Sequence, residues 1–142
     1  MKLTLIITTY NWPESLFLVI ESIKRQTIFP DEIIIADDGS DNKTRELITS
    51  INIESNLNII HSWQKDIGFR AAKSRNKAIL KSTGDYIVCI SAHCIPKNEN
   101  WLKKLYQNLE NNTDIAGVYG RQLPVCFTSD FDKRDLLITF GR

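Results

Sequence analysis

The sequence predicts an α/β fold in which a mostly parallel sheet has helices on both faces. Short apolar runs recur at about the 30-residue spacing of βαβ units. Segments with helical periodicity separate these runs, so that strand and helix alternate along the chain. The runs lack the polar alternation of half-exposed strands, which indicates strands that are covered on both faces.

Taken in order, the elements alternate from the N-terminus onwards. The predicted strands are Leu3–Thr8, Ile33–Ala36, Leu57–His61, Tyr86–Ile90 and Ile115–Tyr119. The first helix begins at Pro13, which suits a first helical turn, and its apolar stripe consists of Leu16, Val19, Ile20 and Ile23. The other helices are predicted at Thr44–Ile51, at Phe69–Lys81 and from Asn98 or Asn100 onwards. Residues 125–142 form a tail that the pattern leaves unplaced, with a short helix at Asp132–Phe140.

Composition indicates one soluble domain over residues 1–142 and excludes several function classes. The chain is 42% hydrophobic and 25% charged, and its net charge of +1 gives no overall field for nucleic acid. The three cysteines include no CxxC pair, which favours reduced thiols in a cytoplasmic protein. No apolar run approaches the ~18 residues of a membrane span, and the N-terminal run is a strand rather than a signal peptide.

Three polar segments follow the first, second and fourth predicted strands. They are Thr8–Asn11, Asp37–Asp41 and Ser91–Pro96. In a parallel sheet with strand order 3-2-1-4 they would share one edge and flank the crevice where the winding direction reverses, which predicts a nucleotide-sized ligand. Turn chemistry alone is the alternative explanation of the Asp-Asp-Gly-Ser stretch. The chain has neither GxGxxG nor GxxxxGK[ST], which argues against a dinucleotide and a P-loop.

Arg75 stands out on the third predicted helix because it falls on the apolar side. That side also carries Ala71, Ala72, Ala78 and Ile79. A guanidinium that is turned toward a sheet needs an anionic partner. A nearby aspartate and a ligand phosphate satisfy that requirement equally well, so both partners stay open.

The ordered motifs resemble the N-terminal, nucleotide-sugar-binding half of bacterial glycosyltransferase family 2 enzymes, which have the Rossmann-like GT-A fold. They are ITTYN (Ile7–Asn11), ADDGSDNKT (Ala36–Thr44), QKDIGFRAAKSRNKAI (Gln64–Ile79), STGDYIVCI (Ser82–Ile90), CIP (Cys94–Pro96) and WL (Trp101–Leu102). GRQLP (Gly120–Pro124) is similar to a subset of enzymes that build lipopolysaccharide, O-antigen or capsule glycans. The resemblance covers about residues 1–124.

The resemblance implies transfer of a sugar from a UDP- or dTDP-type donor to an acceptor hydroxyl on a glycan or lipid-linked acceptor. It implies that Asp38 accepts a hydrogen bond from the base and that Asp37 supports it. The nucleotide-binding set that it implies is Thr8, Tyr10, Asn11, Asp37, Asp38, Asp66, Gly68 and Arg75. A cytoplasmic protein, with peripheral association at the inner face of the membrane and no nucleic-acid partner, is the corresponding expectation.

The chain departs from the family pattern at the metal position. Enzymes of this family carry an Asp-x-Asp motif that holds Mg²⁺ or Mn²⁺, and here the place reads Ser91-Ala92-His93. A hydroxyl and an imidazole make a weaker site for these hard cations than two carboxylates. His93, with Ser91, is therefore a candidate metal ligand, a direct donor to a phosphate, or neither.

A second departure concerns the catalytic base. The family's base is an aspartate in a later Glu-Asp motif, and the setting of Asp130, Asp132 and Asp135 does not match it. An inverting displacement loses a large factor without a base for the acceptor hydroxyl. Two interpretations stay open: a donor-binding fragment of a longer enzyme, or a catalytically dead nucleotide-binding or interaction domain.

Overall fold

The structure, a computed structural model, describes residues 1–126 and 128–141. Phe127 and Arg142, which belong to the unplaced tail, lie outside the described residues. The chain forms two compact units, Met1–Lys103 and Lys104–Arg142, and a single domain over 1–142 stays a prediction. The described elements are β1 (Leu3–Thr9), α1 (Pro13–Ile23), β2 (Glu32–Asp37), α2 (Asn42–Glu54), β3 (Ile59–Trp63), α3 (Ala71–Lys81), β4 (Tyr86–Ser91), α4 (Trp101–Glu110) and α5 (Asp130–Phe140).

The four strands form one parallel sheet in the order β3-β2-β1-β4, which confirms the predicted α/β fold and strand order. β1 is central, and its Thr8 lies opposite Ala36 of β2 and opposite Ser91 of β4. β2 pairs with β3 so that Asp37 lies opposite Trp63. Because the strands are parallel, their C-terminal ends meet at one edge of the sheet. We call this edge the C-terminal rim.

Buried side chains on both faces of the sheet fix the strands. On one face Ile6 and Ile34 are fully buried and pack with Ala78 of α3. Their neighbours Leu5 and Ile33 are also buried and point to the opposite face. The predicted apolar stripe of α1 is completely buried at Leu16, Val19, Ile20 and Ile23. Each such side chain contributes roughly 1.5–3 kcal/mol, so the core holds the register from which the rim loops start.

A buried carboxylate links the strands at the edge opposite the C-terminal rim. Glu32 Oε1 accepts hydrogen bonds from Thr4 Oγ1 at 2.7 Å, from Thr83 N at 2.6 Å and from Thr83 Oγ1 at 3.2 Å. Thr4 Oγ1 in turn accepts from Gly84 N at 3.0 Å. Burial alone raises the pKa of Glu32, but these hydrogen bonds hold it below its ordinary value. The network therefore stabilises the ionised side chain and ties β1, β2 and the turn before β4 together.

Two strands differ from the prediction. β3 begins at Ile59, two residues later than predicted, and continues to Trp63. Within the described residues no strand forms at Ile115–Tyr119, so the predicted fifth strand is wrong. Gly117 lies in the middle of that run and supplies no side chain for packing, and both end residues are exposed. A short run that buries so little cannot offset the entropy of an ordered strand.

The second unit contains α5, which confirms the predicted helix at Asp132–Phe140. The observed helix begins two residues earlier, at Asp130. Ser129 caps this helix, because its Oγ accepts a hydrogen bond from Asp132 N at 3.2 Å. None of the α5 residues is buried. Among the described residues, no helix has the length and apolar character that crossing a membrane requires.

Candidate functional site

The acidic turn at the end of β2 is built around Asp37. Its Oδ1 accepts hydrogen bonds from Gly39 N at 3.1 Å and from Ser40 N at 2.8 Å, and the side chain is fully buried. Gly39 has a φ of +108°, a conformation that favours glycine. α2 follows directly, with Asp41 as the N-cap that accepts from Lys43 N. Asp37 therefore shapes the turn and does not itself face solvent.

A histidine of β3 pairs with the second oxygen of Asp37. His61 Nε2 lies 2.8 Å from Asp37 Oδ2. Burial by itself raises the pKa of Asp37, but the hydrogen bonds from His61 and Ser40 hold that pKa below its ordinary value. Since the ionised Asp37 can only accept, His61 Nε2 donates the hydrogen of this bond. His61 thus fixes the orientation of the carboxylate that organises the turn.

We expect His61→Ala to move acid unfolding to higher pH. A carboxyl whose folded pKa lies below its unfolded value, about 3.9 for Asp, stabilises the fold at higher pH. That contribution disappears as the pH falls through the folded pKa. Without the His61 donor the folded pKa of Asp37 rises toward its ordinary value. The midpoint of acid unfolding, followed by circular dichroism, should therefore shift upwards.

Two variants test whether the shift comes from loss of the His61 hydrogen bond or from loss of an imidazole ring in general. His61→Gln keeps an N–H donor and should shift the midpoint less than His61→Ala. His93→Ala removes the chain's other imidazole, which is exposed, and should leave the midpoint where it is. An unchanged midpoint in His61→Ala would show that this pair does not hold Asp37 ionised.

Asp38 joins the acidic turn to the loop that precedes α3. Asp38 Oδ1 accepts from Gln64 Nε2 at 2.6 Å, and Oδ2 accepts from the backbone N of Arg70 at 2.6 Å. Arg70 is the N-cap residue of α3, so the carboxylate lies where the helix N-terminus favours negative charge. Asp38 is 4% exposed. Each carboxylate oxygen keeps a second lone pair, so Asp38 can also accept a hydrogen bond from a ligand N–H.

The loop after β1 contacts the acidic turn from the other side. Asn11 has a left-handed φ of 45°, which asparagine adopts more readily than most residues. Its backbone N donates to Ser40 Oγ at 2.9 Å, and its Oδ1 accepts from Asp41 N at 2.8 Å. The backbone N of Asp38 donates to Thr9 O at 3.1 Å. Asn11 therefore holds the two loops together, in addition to any contact that it makes with a ligand.

Tyr10 reaches from the β1 loop to the loop before α3. Its hydroxyl donates to Asp66 Oδ2 at 3.0 Å, and this hydrogen bond together with the Asp66 charge raises the pKa of Tyr10. Half of Tyr10 is exposed, which leaves surface for a planar ligand. In the same loop Gly68 has a left-handed φ of +69° and open space where a Cβ would stand. The structure thus brings Tyr10, Asp66 and Asp38 to one end of the rim.

Arg75 does not occupy the buried position that the helical pattern predicts. α3 buries Ser74 and Ala78, whereas Arg75 is exposed. The small Ser and Ala side chains let the helix lie close to the sheet, and a guanidinium there would have to lose its water. Among the described residues Arg75 has neither a hydrogen bond nor an ion pair, so the aspartate alternative is wrong. Desolvation raises the pKa of the Cys89 thiol of β4, and the positive charge of Arg75 opposes that rise.

The end of β3 supplies further contacts that the sequence pattern does not predict. Trp63 Nε1 donates to Ser40 O at 3.1 Å, and Gln64 N donates to Asp37 O at 3.1 Å. His61 and Trp63 are two residues apart, so on a strand their side chains lie on the same face of the sheet. The predicted strand ends at His61, so the sequence pattern does not place Trp63 on that face.

The loop after β4 completes the rim on the other side of β1. The backbone N of Ala92 donates to Thr8 O at 2.8 Å, and Ala92 O accepts from Ser15 Oγ of α1 at 2.7 Å. Ser91 Oγ lies 2.9 Å from His93 Nδ1. The loops after β1, β2 and β4 therefore leave three adjacent parallel strands at one rim, as predicted.

The side chains at the Asp-x-Asp position do not fit a hard divalent cation. Mg²⁺ and Mn²⁺ prefer several oxygen ligands, usually with carboxylates among them. Ser91 offers a neutral hydroxyl, and His93 offers one imidazole whose Nδ1 is already engaged. Across residues 1–126 and 128–141, no group of three or more His, Cys, Asp and Glu side chains could hold a metal ion.

The fold and the rim define an α/β protein whose candidate ligand site lies at the C-terminal ends of parallel strands. Comparison with known families specifies the class further. The model of glycosyl transferase family 2 matches residues 4–133, which is most of the chain. The chain therefore belongs to glycosyltransferase family 2.

Individual relatives agree with this family. The chain is 36% identical over 129 residues to the O-antigen chain rhamnosyltransferase RfbN of Salmonella typhimurium; the match covers 87% of the chain but 38% of the relative. The structure of S. aureus TarS 1-349 in complex with UDP-GlcNAc matches with a TM-score of 0.67 and 24% identity, over 88% of this chain and 37% of that one. Mannosyltransferase PcManGT from Pyrobaculum calidifontis, in complex with GDP-Man and Mn²⁺, matches with a TM-score of 0.68 and 18% identity, over 96% and 38%. These two structures show the fold, and it is the expected GT-A type.

Proposed function

We propose that this chain binds the nucleoside-diphosphate sugar donor, of the UDP or dTDP type, for a glycosyltransferase of bacterial surface polysaccharide or lipopolysaccharide synthesis. The observation that carries this proposal is the meeting of three polar loops at one rim, where the Asp38 carboxylate is held in place by hydrogen bonds from Gln64 and Arg70 of the loop before α3. Membership of glycosyltransferase family 2 and the similarity to an O-antigen rhamnosyltransferase support it.

The base of the nucleotide would lie at the β2 side of the rim. Uracil and thymine each present one ring N–H between two carbonyl groups, and a fixed carboxylate is a strong acceptor for such a donor. Asp38 supplies that acceptor, and the half-exposed Tyr10 ring supplies a surface beside it. Asp37, Asn11 and Gly68 act through the shape of the loops, while Thr8 and Asp66 border the base and ribose.

The diphosphate would lie toward β4, away from the acidic turn. Arg75 is exposed there without a protein partner among the described residues, so its guanidinium can take a phosphate in the planar geometry that arginine favours. In this arrangement the Asp38 carboxylate faces the base, and the Arg75 guanidinium faces the anionic diphosphate.

The chain's part in the reaction is to bind and orient the donor. The acceptor is a glycan or lipid-linked hydroxyl, and a lipid-linked acceptor would bring the protein peripherally to the inner face of the membrane. Transfer also needs a base for that hydroxyl. A turnover assay with UDP- and dTDP-sugars separates transfer from nucleotide binding alone, the alternative that the sequence leaves open.

Isothermal titration calorimetry of the full chain tests the proposed function. UDP, dTDP, GDP and ADP are each titrated under identical conditions, with and without MnCl₂. We expect UDP or dTDP to bind with a Kd within the range of about 1 μM to 1 mM that substrates usually show, and ADP to bind at least tenfold more weakly. No detectable binding of UDP and dTDP under either condition, or equal binding of all four nucleotides, would contradict the proposal.

A further inference from the structure

Ser91 and His93 lie on a segment that is fixed at the rim. β4 is held to β1 in register, with Ser91 opposite Thr8, and Ala92 is anchored at both its N–H and its carbonyl. The backbone N of Cys94 closes the turn by donating to Ser91 O at 2.9 Å. The imidazole of His93 therefore projects from an ordered turn, although its side chain is exposed.

The contact with Ser91 determines what His93 offers to a ligand. Its Nδ1 lies 2.9 Å from Ser91 Oγ, so Nε2 is the nitrogen left for other partners. When the Ser91 hydroxyl donates to Nδ1, the neutral ring carries its proton on Nε2, and the protonated ring carries one there as well. Only the tautomer in which Nδ1 donates to Ser91 leaves Nε2 without a proton. A nearby anion selects the first two states, because both present an N–H donor.

The surroundings of this pair suit an anion. Ser91 follows Cys89 by two residues and shares its face of β4. Cys89 lies opposite Ile6, which packs against Ala78 of α3, so this is the face covered by the helix that carries Arg75. The carboxylates of Asp37 and Asp38 belong to the far side of β1, about two strand spacings or ~10 Å away. A ligand that places its base against Asp38 would bring its diphosphate toward β4.

We propose that His93, oriented by Ser91, binds the diphosphate of the donor directly through Nε2–H, in the place where relatives with an Asp-x-Asp motif use a metal ion. This inference rests on the proposed function, and it accounts for a donor set that does not fit Mg²⁺ or Mn²⁺. The imidazole interacts with the diphosphate in the bound state, whereas Ser91 is a positioning residue that acts through His93.

The test compares a nucleotide with its own nucleoside, so that the phosphate contribution is isolated. UDP and uridine, or dTDP and thymidine if that pair binds more tightly, are titrated into the full chain in EDTA and in MnCl₂. The wild-type affinity for the diphosphate should be the same in both buffers. His93→Ala should lower it about tenfold, the loss of one charge-assisted hydrogen bond, and should leave the nucleoside affinity unchanged.

Further variants separate the imidazole from general effects of charge and folding. His93→Gln keeps an N–H donor and should recover most of the diphosphate affinity. Lys97→Ala, an exposed cation in the same loop, is the matched control and should leave it unchanged. The double variant Ser91→Asp with His93→Asp should make diphosphate binding dependent on Mn²⁺.

A wild-type chain that binds the diphosphate only with Mn²⁺ would overturn this inference, as would full diphosphate affinity in His93→Ala. Both results leave the proposed function intact, because the nucleotide still binds. Failure of the wild-type chain to bind any nucleotide would instead reject the proposed function and, with it, the role of His93.

Discussion

Asp38→Ala is expected to abolish binding of UDP and dTDP, with a loss of affinity of at least about a hundredfold, or about 2.8 kcal/mol. The substitution removes the acceptor that we assign to the base, and a hydrogen bond to a charged group contributes roughly 1.5–3 kcal/mol. It also leaves Gln64 Nε2 and Arg70 N without the acceptor that holds the loop before α3 in place. Calorimetry with both nucleotides measures the effect.

Two asparagine variants separate the charge of Asp38 from its structural role. Asp38→Asn keeps the shape and one carbonyl acceptor, so it should fold while it still binds nucleotide poorly. Asp41→Asn makes the same change three positions further along, where asparagine also serves as an N-cap, and should bind like the wild type. If Asp38→Asn retained full affinity with an unchanged thermal unfolding midpoint, Asp38 would not be the acceptor for the base.

Gly39→Ala is expected to destabilise the protein by about 3 kcal/mol or more. A Cβ at this position would lie 2.6 Å from the backbone N and Cα of Asp66, which is closer than real Cβ contacts come. The φ of +108° adds backbone strain for any residue with a side chain. To relieve the contact the acidic turn must move away from the loop that carries Asp66, so nucleotide affinity should fall together with stability. Urea unfolding gives the first quantity and calorimetry the second.

Gly68→Ala is the matched control for that prediction. Gly68 also has a positive φ, +69°, but nothing lies within 4 Å of a Cβ built there. Only the backbone strain remains, which costs about 1–2 kcal/mol. Equal destabilisation in the two variants would show that the close approach of Gly39 to Asp66 contributes nothing.

Much of the fold and of the rim follows from local rules of the sequence. Continuous apolar runs identify four of the strands, and the i, i+3, i+4, i+7 stripe identifies α1. The alternation of strands and helices then predicts a parallel sheet. The Asp, Gly and Ser residues of Asp37–Asp41 predict a turn. Parallel strands share an edge, so the convergence of Thr8–Asn11, Asp37–Asp41 and Ser91–Pro96 could be predicted without coordinates.

The contacts that hold the rim together could not be predicted in this way. His61 reaches Asp37 only because β3 pairs with β2 in one particular register, and a shift of two residues in the predicted strand hid that pairing. Arg75 was misplaced because a helical wheel ranks positions by average polarity. The small side chains of Ser74 and Ala78, rather than the most apolar arc, decide which face of α3 meets the sheet.

Hydrogen exchange of the full chain, measured by mass spectrometry with and without the nucleotide that binds most tightly, tests whether the three loops form one nucleotide site. We expect backbone amides of Thr8–Asn11, Asp37–Asp41 and Ser91–Cys94 to exchange more slowly together when nucleotide is bound. Amides at the opposite edge of the sheet, such as those of Thr83 and Asp85, should exchange at an unchanged rate. Protection confined to another surface, or to only one of the three loops, would contradict this expectation.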